Sequence, residues 1–415
     1  MIRSDPQSVK DALARRGRAE AVDELVALDA ERRALLPQIE ERRAKQNAAN
    51  DAIAEAKRAG GSADDAIAQM REIAGEVKRL EGELAKIDEQ LNELLSAIPN
   101  LPDSSAPDGE TEDDAEVVRE VGEQTAFGFD PRDHLDLGTA LGVIDMEKAA
   151  AASGARFAYL KGALVTLELA LVQFAMAKLA AHGFTPVVPP VLVREEALFR
   201  TGFLPTDRAQ IYEIAGDDLY LTGTSEVTLA ALHADEIVAD DALPLRYAGF
   251  SSCFRREAGA GGKDTRGIFR VHQFDKVEMF AFVKPEDSRD EHERILAIEE
   301  EIVGELGIPY RVVNIAAGDL GASAAKKYDL EAWLPGQDRY RELTSCSNTT
   351  DYQARRLKCR HRPDGGSPEP LHTLNGTAVA IGRTLIAIME NFQRADGSVE
   401  VPEALRPFGA PAEIR

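Results

Sequence analysis

The chain has 415 residues, a formal net charge of −23 and a hydrophobic fraction of 44%, enough for a sizeable core and for two domains, or one with an appendage. Its three cysteines, Cys253, Cys346 and Cys359, are odd in number and show no CxxC spacing. They argue against a disulfide framework or a zinc site and suit a reducing compartment. The acidity excludes general nucleic-acid binding by bulk charge, so an RNA partner would need locally basic patches.

The first residues hold no apolar run that could serve as a signal peptide. Residues 25–98 carry a seven-residue repeat. Met70, Val77, Leu84, Leu91 and Ile98 form one row, and Ile73, Leu80, Ile87 and Leu94 a second. Offset by three and four positions, the two rows share one helix seam and mark a coiled coil. The first half is weaker: Leu25, Ile39 and Ile53 lie on one row, Leu28, Leu35, Ala49 and Ala56 on the other, with Arg32, Arg42 and Gln46 interrupting. Gly60-Gly61-Ser62 between the halves is a turn signal, so the expectation is an antiparallel helical hairpin. Pro37 should kink its first helix. Residues 26–59 hold seven Lys/Arg against six Asp/Glu, and residues 60–98 four against nine. The first helix, with Arg32, Arg33, Arg42, Arg43 and Lys45, is therefore the better candidate for facing RNA; the alternative is that these residues only solvate a coiled coil.

Residues 101–123 are rich in Pro, Asp, Glu, Ser and Gly without apolar periodicity and read as a linker. The domains expected are 1–105, an acidic linker 106–125 and a globular 126–415. Residues 163–182 form an apolar helix closed by Gly183; its Glu168, Gln173 and Lys178 favour a buried helix over a membrane span. Strand-like runs follow at 184–193, 219–222, 246–254, 268–282 and 310–315, with a late helix at 382–394. Their hairpin-type spacing favours an antiparallel sheet, hence an α+β fold.

Glu257-Ala-Gly-Ala-Gly-Gly-Lys263-Asp264 fails as a P-loop, because Glu257 and Asp264 replace the leading Gly and the magnesium-holding Ser/Thr. No GxGxxG opens a helix after a strand. Phe254-Arg255-Arg256-Glu257, a glycine-rich loop and Arg270-Val271-His272-Gln273-Phe274 offer other chemistry. A guanidinium at Arg255 can grip a phosphate bidentately, Glu257 can accept from an amino group, and Phe274 presents a flat face. Alone, the segment is equally consistent with a surface ion pair.

These residues resemble motif two of the class II aminoacyl-tRNA synthetases. Gly376-Thr377-Ala378-Val379-Ala380-Ile381-Gly382-Arg383 resembles motif three, and Gly183-Phe184-Thr185-Pro186-Val187-Val188-Pro189-Pro190 motif one, whose helix and strand form the family's dimer interface. Thr222-Gly223-Thr224-Ser225-Glu226, Phe274-Asp275-Lys276-Val277-Glu278 and Arg341-Glu342-Leu343-Thr344-Ser345-Cys346-Ser347-Asn348 resemble strips of the seryl-tRNA synthetases, which also begin with a long helical hairpin. The sequence departs from that pattern at Leu343-Thr344 and Pro37.

The resemblance implies an antiparallel sheet flanked by helices, preceded by a tRNA-binding hairpin. It implies ATP binding by Arg255, Arg256, Glu257, Val271, Phe274, Glu342, Leu343, Thr344, Ser345 and Arg383, with Arg255 and Arg383 catalytic. Serine would be held by Thr224, Ser225, Glu226, Arg255, Glu278 and Thr377, and magnesium by Glu342 and Ser345, with no zinc. Arg32, Arg33, Arg42, Arg43, Lys45, Lys263 and Arg266 would meet tRNA. The partners implied are ATP, L-serine, tRNA(Ser) and tRNA(Sec), in a cytoplasmic homodimer without membrane association or an editing domain. Two rivals are a ligase loading a carrier protein, which would not need the hairpin, and a non-enzymatic coiled-coil scaffold.

Overall fold

The computed structural model describes every residue except Met1, Ala260, Gly261, Lys263 and Asp364. The chain forms two compact units, Met1–Pro99 and Asn100–Arg415.

In the first unit a short helix α1 (Pro6–Ala14) precedes two long ones, α2 (Glu20–Arg58) and α3 (Asp64–Ala97). Val77, Leu80 and Leu91 of the heptad rows are buried on α3, and Val22, Leu25 and Ile39 on α2. The reversal falls at Ala59–Ala63, where Gly60 takes φ +74°, a left-handed conformation that glycine adopts at little steric cost. Pro37, where a kink is expected, lies inside α2, which continues past it as one helix. The charged residues that interrupt its seam have a structural use. Arg32 pairs with Asp88 at 2.6 Å, Arg42 with Glu76 at 3.0 Å and Arg43 with Glu81 at 2.6 Å, all between α2 and α3.

The second unit is built on eight strands: β1 (Glu116–Val121), β2 (Thr185–Val187), β3 (Leu245–Phe254), β4 (Gln273–Val283), β5 (Tyr310–Asn314), β6 (Lys326–Leu334), β7 (Arg339–Thr350) and β8 (His372–Ala380). They pair in the order β1-β5-β6-β7-β8-β4-β3-β2. All pairs are antiparallel except β2 with β3. Helices α4 (Ala163–Ala181), α6 (Ser288–Glu305) and α8 (Ile381–Asn391) bury one face through Leu167, Leu171, Ile295, Ile302, Leu385 and Ile388. The short helices α5 (Glu226–Ala231) and α7 (Tyr352–Leu357) cover one end of the opposite face, over Phe280 and Phe282.

Two expectations need correction. Residues 101–123 are not a free linker. Asp103 N–H donates to the Ala325 carbonyl at 2.8 Å, the Pro107 carbonyl accepts from Ala317 N–H at 2.9 Å, and β1 pairs with β5. Every residue of that edge strand is exposed, so it carries no alternating pattern for a sequence reading to find. Helix α4 is buried along one face only: Leu164, Leu167 and Leu171 are enclosed, while Val165 and Leu169 face outward.

Candidate active site

Alternation on β4 sorts its side chains. Val277, Met279 and Ala281 enter the helix-covered core, while Phe274, Lys276 and Glu278 line cavities on the other face, as a strand's period of two requires. On β8 the same rule turns Leu374 and Ala378 to the core and Asn375 and Thr377 to the cavities. On β7 it would separate Glu342 from Ser345. Pairing with β6 shifts at Leu343, because Leu330 faces Thr344 while Glu331 faces Glu342. This bulge brings both oxygen-bearing side chains to the same cavity.

The first cavity, about 270 Å³, is bordered by Arg255, Glu257, Val271, Phe274, Glu342, Leu343, Thr344, Ser345 and Arg383, nine of the ten residues expected to bind ATP. Arg256, the tenth, is exposed and not in the lining; its backbone N–H donates to the Gln210 carbonyl at 2.8 Å. Arg255 lies 5.3 Å from the Phe274 ring centre, and its Nε donates to the Gly223 carbonyl at 3.3 Å. Glu257 is ion-paired with Arg270. Phe269, unnoticed in the sequence, sits between Arg341 at 3.8 Å and Arg383 at 4.7 Å from its ring centre. Arg383 Nη1 donates to the Glu342 carbonyl at 3.0 Å and lies 3.2 Å from its carboxylate. Burial works to raise the Glu342 pKa, but Arg383, then Lys327, hold it down at about 2, so it is an ionised oxygen donor at neutral pH.

The second cavity, about 260 Å³, shares Arg255, Lys276, Ser345 and Thr377 with the first and adds Thr224, Glu226, Glu278 and Asp207, among others. Five of the six residues expected to bind serine therefore border it. Ser225 does not: its hydroxyl lies beneath, 3.1 Å from where a Cβ on Gly249 would stand. The sequence directs the chain this way because Ser225 precedes the first turn of α5, whose Val227 and Leu229 are buried beside it. Lys276 Nζ donates to Thr224 Oγ1 at 2.8 Å and is ion-paired with Glu278. Gln353 Nε2 donates to Glu226 Oε1 at 2.7 Å. Burial, then the nearby Glu278, lifts the Glu226 pKa to about 7. Burial also raises that of Glu278, and Lys276 opposes it.

The expected RNA contacts divide. Arg32, Arg42 and Arg43 bridge the hairpin helices, while Arg33 pairs with Asp29 at 3.0 Å and Lys45 with Glu41 at 2.5 Å along α2. Arg266 holds Asp133 at 2.6 Å and Asp136 at 2.5 Å. Lys263 lies outside the described residues.

Residues 211–392 match the family described as tRNA synthetase class II core domain (G, H, P, S and T), and residues 1–102 match the seryl-tRNA synthetase N-terminal domain. The chain is 52% identical over 408 residues to a serine–tRNA ligase of Thermobifida fusca, covering 98% of this chain and 96% of that one. The chain belongs to the seryl-tRNA synthetase family. Another serine–tRNA ligase, from Rubrobacter xylanophilus, is 50% identical with the same coverage. The seryl-tRNA synthetase of Pyrococcus horikoshii complexed with ATP superposes with a TM-score of 0.93 at 42% identity, over 100% of this chain and 98% of that one. A cytoplasmic serine–tRNA ligase of Naegleria fowleri in complex with AMP gives 0.88 at 34% identity, over 99% and 96%. Phe269 carries no signal in the sequence, whereas Arg270 and Lys276 stand inside the quoted motif strips without a role of their own; all three border the first cavity. The signal for Lys276 was present: it stands two residues from both Phe274 and Glu278, on the same strand face.

Proposed function

We propose that the protein is a serine–tRNA ligase that joins L-serine to ATP as seryl-adenylate and passes the seryl group to tRNA(Ser). By the same arm it takes tRNA(Sec) as an acceptor. The observation that carries this reading is the shared boundary of the two cavities at Arg255, Lys276, Ser345 and Thr377. A carboxylate held in the second cavity meets a phosphate held in the first across that boundary.

In the first step a serine carboxylate oxygen attacks the α-phosphorus of ATP in line, and pyrophosphate leaves. In the second, the 3′-hydroxyl of the terminal tRNA ribose attacks the acyl carbon and AMP leaves. Arg255 offsets charge at the α-phosphate and Arg383 holds the distal phosphates, so catalysis rests on positioning and fixed positive charge. Glu257 accepts from the adenine amino group, and Phe274 stacks on the ring, beside Val271 and the Leu343-Thr344 backbone. Glu342 and Ser345 supply hard oxygen donors suited to Mg²⁺, which would neutralise phosphate charge. Glu226 and Glu278 receive the serine ammonium and hydroxyl, with Thr224 and Thr377 beside them. Alanine leaves those buried groups unpaired, which is the origin of discrimination.

Dimerisation is supported by outward apolar surface on α4 and on the motif-one segment that follows it, where Leu169 is 55% and Val188 82% exposed. The three free, buried cysteines suit a reducing compartment, and we place the enzyme in the cytoplasm. Charging of tRNA(Ser) with radiolabelled serine tests the whole reading. The full chain charges it, and a chain lacking Met1–Pro99 still forms adenylate but charges tRNA poorly. Unchanged tRNA affinity without the hairpin would favour the carrier-protein rival.

A further inference from the structure

A buried lysine inside a pocket that also holds two carboxylates is a costly arrangement unless its charge is used. Lys276 is 7% exposed, Glu278 1% and Glu226 8%, and Lys276 borders both cavities. Its ammonium donates to Thr224 Oγ1 at 2.8 Å and pairs with Glu278. The same threonine oxygen accepts from the Glu226 backbone N–H at 3.2 Å. A hydroxyl has two acceptor sites and one donor. With both acceptor sites occupied, the Thr224 O–H is left only to donate.

We propose that Lys276 is a specificity-determining positioning residue that sets the polarity of the amino-acid pocket, fixing Thr224 as a donor toward a substrate oxygen and Glu278 as an acceptor. The pattern suits a ligand that brings an ammonium and a neighbouring oxygen together. It rests on the serine reading given above and assigns within it a residue that motif resemblance leaves without a role.

The surroundings give Lys276 this effect. Glu226 on α5 and Glu278 on β4 repel each other, and Glu299 on α6 lies near both Glu278 and Lys276, with Asp329 on β6 beside it. Arg255 also acts on both pocket carboxylates, and the buried Cys253 on β3 feels both Lys276 and Glu278. Removing the lysine charge leaves two close carboxylates with weaker compensation, so one of them takes up a proton at a higher pH than before. A protonated carboxyl at Glu226 no longer attracts the substrate ammonium, and one at Glu278 accepts more weakly from the substrate hydroxyl.

The test is serine-dependent ATP–pyrophosphate exchange by the full chain from pH 6 to 9, comparing Lys276→Met and Lys276→Arg with wild type. Lys276→Met raises the serine KM at pH 7 by about tenfold or more, leaves the ATP KM within about twofold, and recovers as the pH rises. It also narrows the preference for serine over alanine. Lys276→Arg keeps the charge and follows the wild-type pH profile. A Lys276→Met enzyme with a wild-type serine KM at every pH overturns the assignment, as does a parallel rise in both KM values. If Lys276→Met does not fold, Lys276→Arg decides: a serine KM profile displaced to higher pH despite the retained charge overturns it. Wild-type protein that shows no serine-dependent exchange would instead refute the serine reading, before any variant is compared.

Discussion

Gly376 lies at the centre of the sheet, paired with Met279 on β4 and Cys346 on β7. Its α-carbon faces α6. A Cβ added there would stand 2.4 Å from Ile295 Cγ2, 2.9 Å from Glu299 Oε1 and 3.2 Å from Cys346 Cβ. None of these can swing clear, since Ile295 and Cys346 are fully buried and Glu299 is enclosed. Overpacking of this kind costs about 1–3 kcal/mol. An unfolding entropy of about 2.1 cal/mol/K per residue gives roughly 0.7 kcal/mol/K for a unit of this size, so Gly376→Ala should lower Tm by roughly 1–4 °C. The strain falls next to Thr377, which pairs with Glu278, so the serine KM should rise several-fold with the ATP KM little changed. Gly304 is the control: beyond its chain neighbours and its own helix backbone, nothing lies within 4 Å of its added Cβ, and it sits on α6. Gly304→Ala should stabilise by about 0.5–1 kcal/mol. Scanning calorimetry and pyrophosphate exchange measure both variants. A Gly376→Ala protein that melts with wild type and keeps its serine KM would show that the sheet and α6 are not packed as described.

Two further substitutions probe charge. Glu299 is buried beneath Thr344, whose hydroxyl donates to its Oε2 at 2.9 Å, and burial raises its pKa well above the ordinary value. Its folded pKa exceeds its unfolded one, so wild type loses stability as pH rises from about 4.3 toward the folded value. Glu299→Gln should therefore gain on wild type with increasing pH in urea melts at pH 5, 6, 7 and 8; a constant difference would contradict the neutral carboxyl. In the hairpin, the Arg43–Glu81 pair has side chains 61% and 41% exposed and is worth about 0.2–1 kcal/mol. Arg43→Ala should barely change melting but weaken tRNA binding and reduce its log–log salt slope by about 0.7–0.9. An unchanged slope would leave Arg43 as hairpin glue only.

The hairpin was legible because heptad rows repeat a physical period, and apolar runs located β3, β4 and β5, whereas β6, β7 and β8 lay outside those runs. The edge strand Glu116–Val121 was not legible, since its exposure on every residue erases any alternation and its polar flanks read as linker. The bulge at Leu343 was hidden for a different reason: pairing register is a relation between two strands, and neither strand's sequence records it alone. Motif spacing located residues that border the cavities where strand alternation fixes the side chain, as at Phe274 and Glu278. Ser225 and Arg256 lie outside both linings, where a turn or loop redirects the side chain. Basic residues on α2 looked like free RNA contacts, but opposite charges from α3 that neutralise three of them lie 34 to 56 positions away.

The central claim is that the second cavity admits serine and presents its carboxylate to ATP. Exchange of labelled pyrophosphate into ATP, run with each of the twenty amino acids and Mg²⁺, addresses it directly. Exchange supported by serine and by no other amino acid at comparable efficiency is the expected result. Strong exchange with a different amino acid, or none with serine, would contradict it.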